Sequence, residues 1–295
     1  MKISFKLFVP MLFLSGMAGA QQKSPAFPKL TGPYFGQTPP GAAAEVFAKD
    51  LISLSGRYEF GVSFSPDGKE LLVGTQEGDI ACVVYSKETA EGWSEPKRIS
   101  LTQGEFQNEM EAFFTPDGKY IYLAPFNDFK DLRLWKVDRA PQGWTNPGPL
   151  DPVVTSFPAF YPVCAANHTL YFYNIAERKI CKAPFKDGKY TASEIVGIPL
   201  GVHCFIAPDE NFALVDGRIE ENGKMDIYVV FRNAQGRWLE PQNLGAGVNT
   251  EFSETCPALS HDGKYIFFSR YNEANEISDI YWVDAKIIEA FKVKN

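Results

Sequence analysis

A six-residue phrase, Phe-Ser-Pro-Asp-Gly-Lys followed by an alternating apolar run, stands whole at residues 64–69 and nearly whole at 114–119 and 259–264. Two worn copies lie between them, Cys-Ala-Ala-Asn-His-Thr at 164–169 and Ile-Ala-Pro-Asp-Glu-Asn at 206–211. The equivalent positions Ser65, Thr115, Ala165, Ala207 and Ser260 are therefore 50, 50, 42 and 53 residues apart. A period of about 40 to 50 residues with several strands in each unit is that of a β-propeller blade. Pro presets φ for the second position of a type I turn, Asp suits the third, and Gly takes the left-handed residue that follows, so each phrase is a hairpin turn. The runs behind the turns (71–73, 120–123, 170–172, 212–215 and 265–268) are β-branched or aromatic and too short for helices.

The other strands follow from the same register. Residues 59–64, 109–114, 159–164, 201–206 and 254–259 precede the turns as inner strands, and 79–86, 131–138, 178–185, 226–233 and 279–286 form the third strands. Trp93-Ser-Glu-Pro96, Trp144-Thr-Asn-Pro147 and Trp238-Leu-Glu-Pro241 mark outer strands, where proline is tolerated, and Tyr190 replaces the Trp in the third unit. These Trp residues read as blade packing rather than ligand platforms. The fifth unit ends without an outer strand, and residues 44–53 supply one from the other end of the domain. The expected architecture is a single all-β propeller of five four-stranded blades over residues 44–292, closed by that N-terminal strand. Six blades is the alternative, but the 42-residue interval leaves no room for a hidden blade. Residues 285–292 have helical apolar spacing and should pack beside the seam.

Ahead of the repeats, residues 1–20 carry Lys2 and Lys6, an apolar run over 7–14 and Ala18-Gly19-Ala20, the pattern of a cleaved export leader. The mature chain would begin at Gln21, and the absence of Cys at that position argues against a lipid anchor. Residues 21–43 are rich in Pro, Gly and Gln and should be extended, leading to the domain. The formal charge of −7 becomes about −9 without the leader, spread along the chain, which excludes nucleic acid and anionic membrane as natural partners. Cys82, Cys164, Cys181, Cys204 and Cys256 are each isolated in a strand, so they read as buried small hydrophobes with room for one disulfide. No Cys-x-x-Cys pair is present, and zinc and redox chemistry are not expected.

These motifs, together with Asp226-Ile-Tyr228, the run from Trp238 through Val248-Asn249-Thr250, and Asp279-Ile-Tyr-Trp-Val-Asp284, resemble the TolB-like, WD-like propeller repeat proteins exported by bacteria. The likeness spans nearly the whole mature chain and includes Tyr34-Phe-Gly-Gln-Thr-Pro-Pro-Gly41. It implies a periplasmic or secreted propeller. Proteins of that kind include docking modules of the envelope as well as carbohydrate and peptide enzymes.

Chemistry should gather where the inner strands begin, around the channel mouth opposite the hairpin turns. Glu59, Glu109 and Glu254 share one repeat position there, and Glu111, Tyr161 and His203 share another. Converging carboxylates would accept Ca²⁺ or act as an acid/base pair on a glycosidic bond. Three identical residues at one repeat position equally suit a structural task, since catalytic sites break repeat symmetry. His168 and His261 fall in the turns on the opposite face, no Gly-x-Ser-x-Gly elbow or phosphate loop is present, and no catalytic residue stands out beyond Glu59, Glu109 and Glu254. The expectation is a non-enzymatic binding module for an envelope protein or a saccharide, with no metal and no cofactor unless Ca²⁺. A glycosidase-like enzyme is the alternative.

Overall fold

Each hairpin turn is built by its own side chains. In the first, Ser65 donates to Asp67 Oδ1 at 2.6 Å, the same oxygen accepts from the Lys69 amide at 3.1 Å, and Gly68 takes φ 70°. Thr115 with Asp117 and Ser260 with Asp262 repeat the arrangement. The worn copies keep it with a residue other than Gly in the left-handed region, His168 at φ 63° and Glu210 at φ 58°. Asn167 and Asp209 there accept from the amides two residues on.

The computed structural model describes residues 27–292 except 142, 221, 222, 273 and 275, so the export leader and the Gln21 terminus lie outside the described residues. The architecture is an all-β propeller of five four-stranded blades. Blade 1 runs Tyr58–Phe64, Glu70–Glu77, Ile80–Thr89 and Lys97–Ile99, and blade 2 runs Asn108–Phe114, Tyr120–Phe126, Trp135–Ala140 and Gly143–Pro149. Blade 3 comprises Ala159–Cys164, Leu170–Asn174, Lys179–Ala183 and Glu194–Ile195; blade 4 comprises Cys204–Ile206, Phe212–Gly217, Asp226–Phe231 and Gln242–Asn243. Blade 5 has Glu254–Leu259, Tyr265–Tyr271 and Ser278–Asp284, and its outer strand is Glu45–Val46.

The ring is thus closed by the N-terminal segment, but over a shorter ladder than residues 44–53. Glu45 pairs with Trp282 and Val46 with Tyr281, after which Ala48 and Asp50 turn through positive φ. Beyond that point the Phe47 amide still donates to the Ile280 carbonyl and the Ser53 hydroxyl bonds to the Ile280 backbone, with Phe47 and Ile52 fully buried. Residues upstream do more than lead in. Tyr34 and Phe35, at φ 54° and 61°, bury their rings at the seam, Tyr34 against Trp282 and Tyr265 and Phe35 against Trp93.

Two outer-strand expectations shift. In blades 1 and 4 the outer ladder starts only after the proline, because Pro96 and Pro241 have no N–H to donate, and Trp93 instead closes a hairpin with Glu88. In blade 3 Tyr190 belongs to a small hairpin, 185–186 with 189–190, and Glu194–Ile195 is the outer strand. The third strand of blade 2 begins at Trp135, since Phe129–Asp131 forms a 3₁₀ turn capped by Asp128. The expected C-terminal helix is a 3₁₀ segment, Ala285–Phe291, capped by Asp284. All five cysteines are buried and free of disulfides. Among the described residues no helix is long and apolar enough to cross a membrane.

Candidate functional site

Four of the five inner strands carry a β-bulge at one repeat position. Gly61, Glu111, Tyr161 and Cys256, each four residues before the turn's first residue, have φ between 54° and 63°, and the ladder register shifts around each of them. In blade 4 the same position is His203, immediately before the inner strand. A bulge puts two residues opposite one and re-aims the extra side chain. Here the bulges turn residues of blades 2, 3 and 5 toward His203 of blade 4 inside the channel.

At the centre is His203. Its Nδ1 lies 2.5 Å from Asp216 Oδ2, and its Nε2 lies 3.4 Å from Glu111 Oε1. Asp216, from the second strand of blade 4, also accepts from the His203 amide at 2.9 Å and from the Cys256 amide at 3.0 Å, which ties blade 4 to blade 5. Glu111 Oε2 accepts from the Tyr161 amide at 2.6 Å, and the Tyr161 hydroxyl donates across the channel to the Pro257 carbonyl at 2.8 Å. The Tyr161 ring stands edge-on to His203 with centroids 4.8 Å apart. Tyr161 thereby obstructs the channel: beneath it only about 20 Å³ remains between the bulges.

Burial by itself would lower the His203 pKa, but the Asp216 carboxylate beside Nδ1 holds it well above the usual imidazole value. Burial likewise opposes ionisation of Asp216, and the imidazolium with the two amides outweighs it, leaving the carboxyl below its ordinary range. Burial pushes the Cys256 thiol up despite the cation beside it.

Above this floor opens a cavity of about 520 Å³ toward the face opposite the hairpin turns. Its apolar walls come from Tyr58, Phe60, Met110 and Phe126, and its polar ones from Gln76, Asp79, Gln107, Asn108 and Asn127, with Glu111, His203 and Cys256 at the base. Tyr58 and Phe60 stack at 5.1 Å, and the Tyr58 and Tyr271 hydroxyls are 2.6 Å apart.

Of the residues singled out from the sequence, Glu111, Tyr161 and His203 come together here. Glu59, Glu109 and Glu254 do not join them. Each is buried and accepts hydrogen bonds from the connection that enters its own blade. Glu59 accepts from the Leu54 amide at 3.2 Å and from Arg57 Nε at 2.7 Å; Glu254 accepts from the Thr250 hydroxyl at 2.6 Å and from Arg270 Nε at 2.9 Å. Glu109 accepts from the Ser100 hydroxyl, the Leu101 and Thr102 amides and the Thr102 hydroxyl, at 2.5–3.0 Å. Burial outweighs the Arg57 charge at Glu59 and raises its pKa to about 7, and burial raises Glu254 as well. Sequence reasoning missed Asp216 and Cys256. The signals were present: Cys256 shares the register of His203, and Asp216 interrupts the apolar run of a second strand.

No family model and no curated protein matches this chain. Among solved structures it is similar to a putative TolB from Agrobacterium tumefaciens, with a TM-score of 0.52 and 14% identity over 78% of this chain and 78% of that one. A GH62 hydrolase in complex with xylotriose aligns with a TM-score of 0.50 and 11% identity over 84% of this chain and 98% of that one. At such identities the likeness establishes the propeller fold alone.

Proposed function

We propose that this chain is an exported binding propeller that takes a saccharide in the cavity above His203. One observation carries the reading, the composition of that cavity: aromatic faces at Tyr58, Phe60 and Phe126 alternate with the amides of Gln76, Gln107, Asn108 and Asn127. Sugars present apolar C–H faces flanked by hydroxyls, so stacking rings and amide partners match both surfaces. The volume suits a small ligand, since such sites run from roughly 300 to 1,000 Å³. The glycosidase alternative draws less support, because the oxygens of Glu109 and half of those of Glu59 and Glu254 are engaged in hydrogen bonds that hold the blade entries. Export and an envelope setting belong to this reading through the leader pattern at residues 1–20 and the TolB-like repeats.

Calorimetric titration with a panel of envelope and plant-wall oligosaccharides tests it. Binding without release of reducing ends, weakened tenfold or more in Tyr58→Ala, is the expected result. Absence of any saccharide binding, or binding indifferent to Tyr58→Ala, refutes the cavity reading, and turnover would favour the enzyme.

A further inference from the structure

The floor of the cavity has chemistry that a saccharide site does not need. Two carboxylates, Asp216 and Glu111, are paired with the same imidazole, and their side chains are 0% and 4% exposed. A thiol completes the group: one donor atom each from His203, Asp216 and Cys256 lies within 4.8 Å of the others. Two buried carboxylates facing one imidazole leave excess negative charge in a low-dielectric place, and a bound cation offsets it.

We propose that this cluster binds a divalent transition-metal cation of the zinc type, with His203 Nε2, Glu111 Oε1 and Cys256 Sγ as ligands and Asp216 as the partner that orients the imidazole. The Nε2 to Oε1 separation of 3.4 Å is the spacing required of two ligands on one tetrahedral cation, about 3.4 Å for metal–ligand bonds of about 2.1 Å. Two ligands could not sit as close as the 2.5 Å between Nδ1 and Asp216 Oδ2, which is a hydrogen bond. That bond holds the proton on Nδ1 and leaves Nε2 as the nitrogen that gives up its proton to the cation, the carboxylate–histidine arrangement found behind metal-bound imidazoles. A thiolate, an imidazole and a carboxylate select zinc, cobalt or iron over the hard cations Ca²⁺ and Mg²⁺. Three protein ligands leave a fourth position, and the cavity opens directly above it.

The ligands Glu111, His203 and Cys256 are 92 and 53 residues apart, which is why no metal spacing is visible along the chain. The inference does not depend on the saccharide reading, because ion binding is measured without sugar. The experiment titrates the chelator-treated full chain with Co²⁺ and then displaces it with Zn²⁺ or Ca²⁺. One equivalent should bind with a thiolate-to-cobalt charge-transfer band that Zn²⁺ removes and Ca²⁺ does not. Cys256→Ser should abolish the band, Glu111→Gln should weaken affinity at least tenfold, and Asp216→Asn should weaken it about 10- to 100-fold. Cys82→Ser, on a distant strand, should change nothing. Circular dichroism melts confirm that each variant folds, and a misfolded Cys256→Ser leaves Glu111→Gln to decide. Absence of stoichiometric binding, a band that survives Cys256→Ser, affinity unchanged in Glu111→Gln, or displacement by Ca²⁺ as readily as by Zn²⁺ overturns the proposal.

Discussion

Two positions on the same inner strands, only two residues apart, have different fates. The outer of the two holds Glu59, Glu109 and Glu254, three identical residues, and the structure uses each to bind the segment entering its blade. The inner one holds Gly61, Glu111, Tyr161, His203 and Cys256, all different, and the structure gathers four of them at one spot. Alternation along a strand would put residues two apart on one face. The left-handed residue at the inner position breaks that alternation and separates the sets. Uniformity at a repeat position thus accompanies a task each blade performs for itself, and diversity accompanies a task the ring performs once.

His203→Ala is the most severe way to break the contrast. It leaves Asp216 and Glu111 buried without their cation, and removal of one partner from a buried pair costs about 3–5 kcal/mol. Denaturant unfolding at pH 6 should show it. The sign with pH follows from the raised His203 pKa: the stabilisation is complete below the unfolded imidazole's value of about 6.5 and is lost as pH rises through the higher folded value. The gap between wild type and His203→Ala should therefore narrow at alkaline pH, and a gap that widens there contradicts the ion pair.

Glu109→Gln tests the uniform position. It keeps one acceptor oxygen but loses the charge that faces two amides and two hydroxyls, at about 1–3 kcal/mol. Unfolding should register the loss while Co²⁺ and saccharide binding stay unchanged. A fall in either affinity would merge the two positions into one site.

The smallest effect belongs to Glu59→Gln measured at pH 6. Burial raises the Glu59 pKa from 4.5 to about 7, so the folded state there already holds it largely protonated and Gln is a near replacement. Because the folded state binds this proton more tightly than the unfolded state, Glu59 makes wild-type stability fall as pH rises from about 4.5 through 7. The variant should follow the wild type near the lower end and become relatively more stable toward pH 8. Parallel curves across that window would show that Arg57 keeps the carboxylate charged.

The repeat phrase was enough to read a propeller with five blades as the first choice, because each turn is a local device: in three of them Ser or Thr, Asp and Gly satisfy one another within five residues, and the two worn copies keep the Asn or Asp bond to the amide two residues on. Even the closure by residues upstream of blade 1 was legible, since the fifth unit visibly lacked a strand. Its extent was not, because it rests on Phe47 against Phe267 and Trp282 and on the Ser53 hydroxyl with Ile280, contacts between residues more than 200 apart in sequence. The site was half legible: register alone put Glu111, Tyr161 and His203 at one level. The bulges bring Cys256 to the group and leave Glu59, Glu109 and Glu254 apart, while Asp216 reaches it through the pairing of the first two strands of blade 4. A bulge needs no glycine, as Glu111, Tyr161 and Cys256 show. It is a register shift between paired strands, so it exists only once those strands have paired.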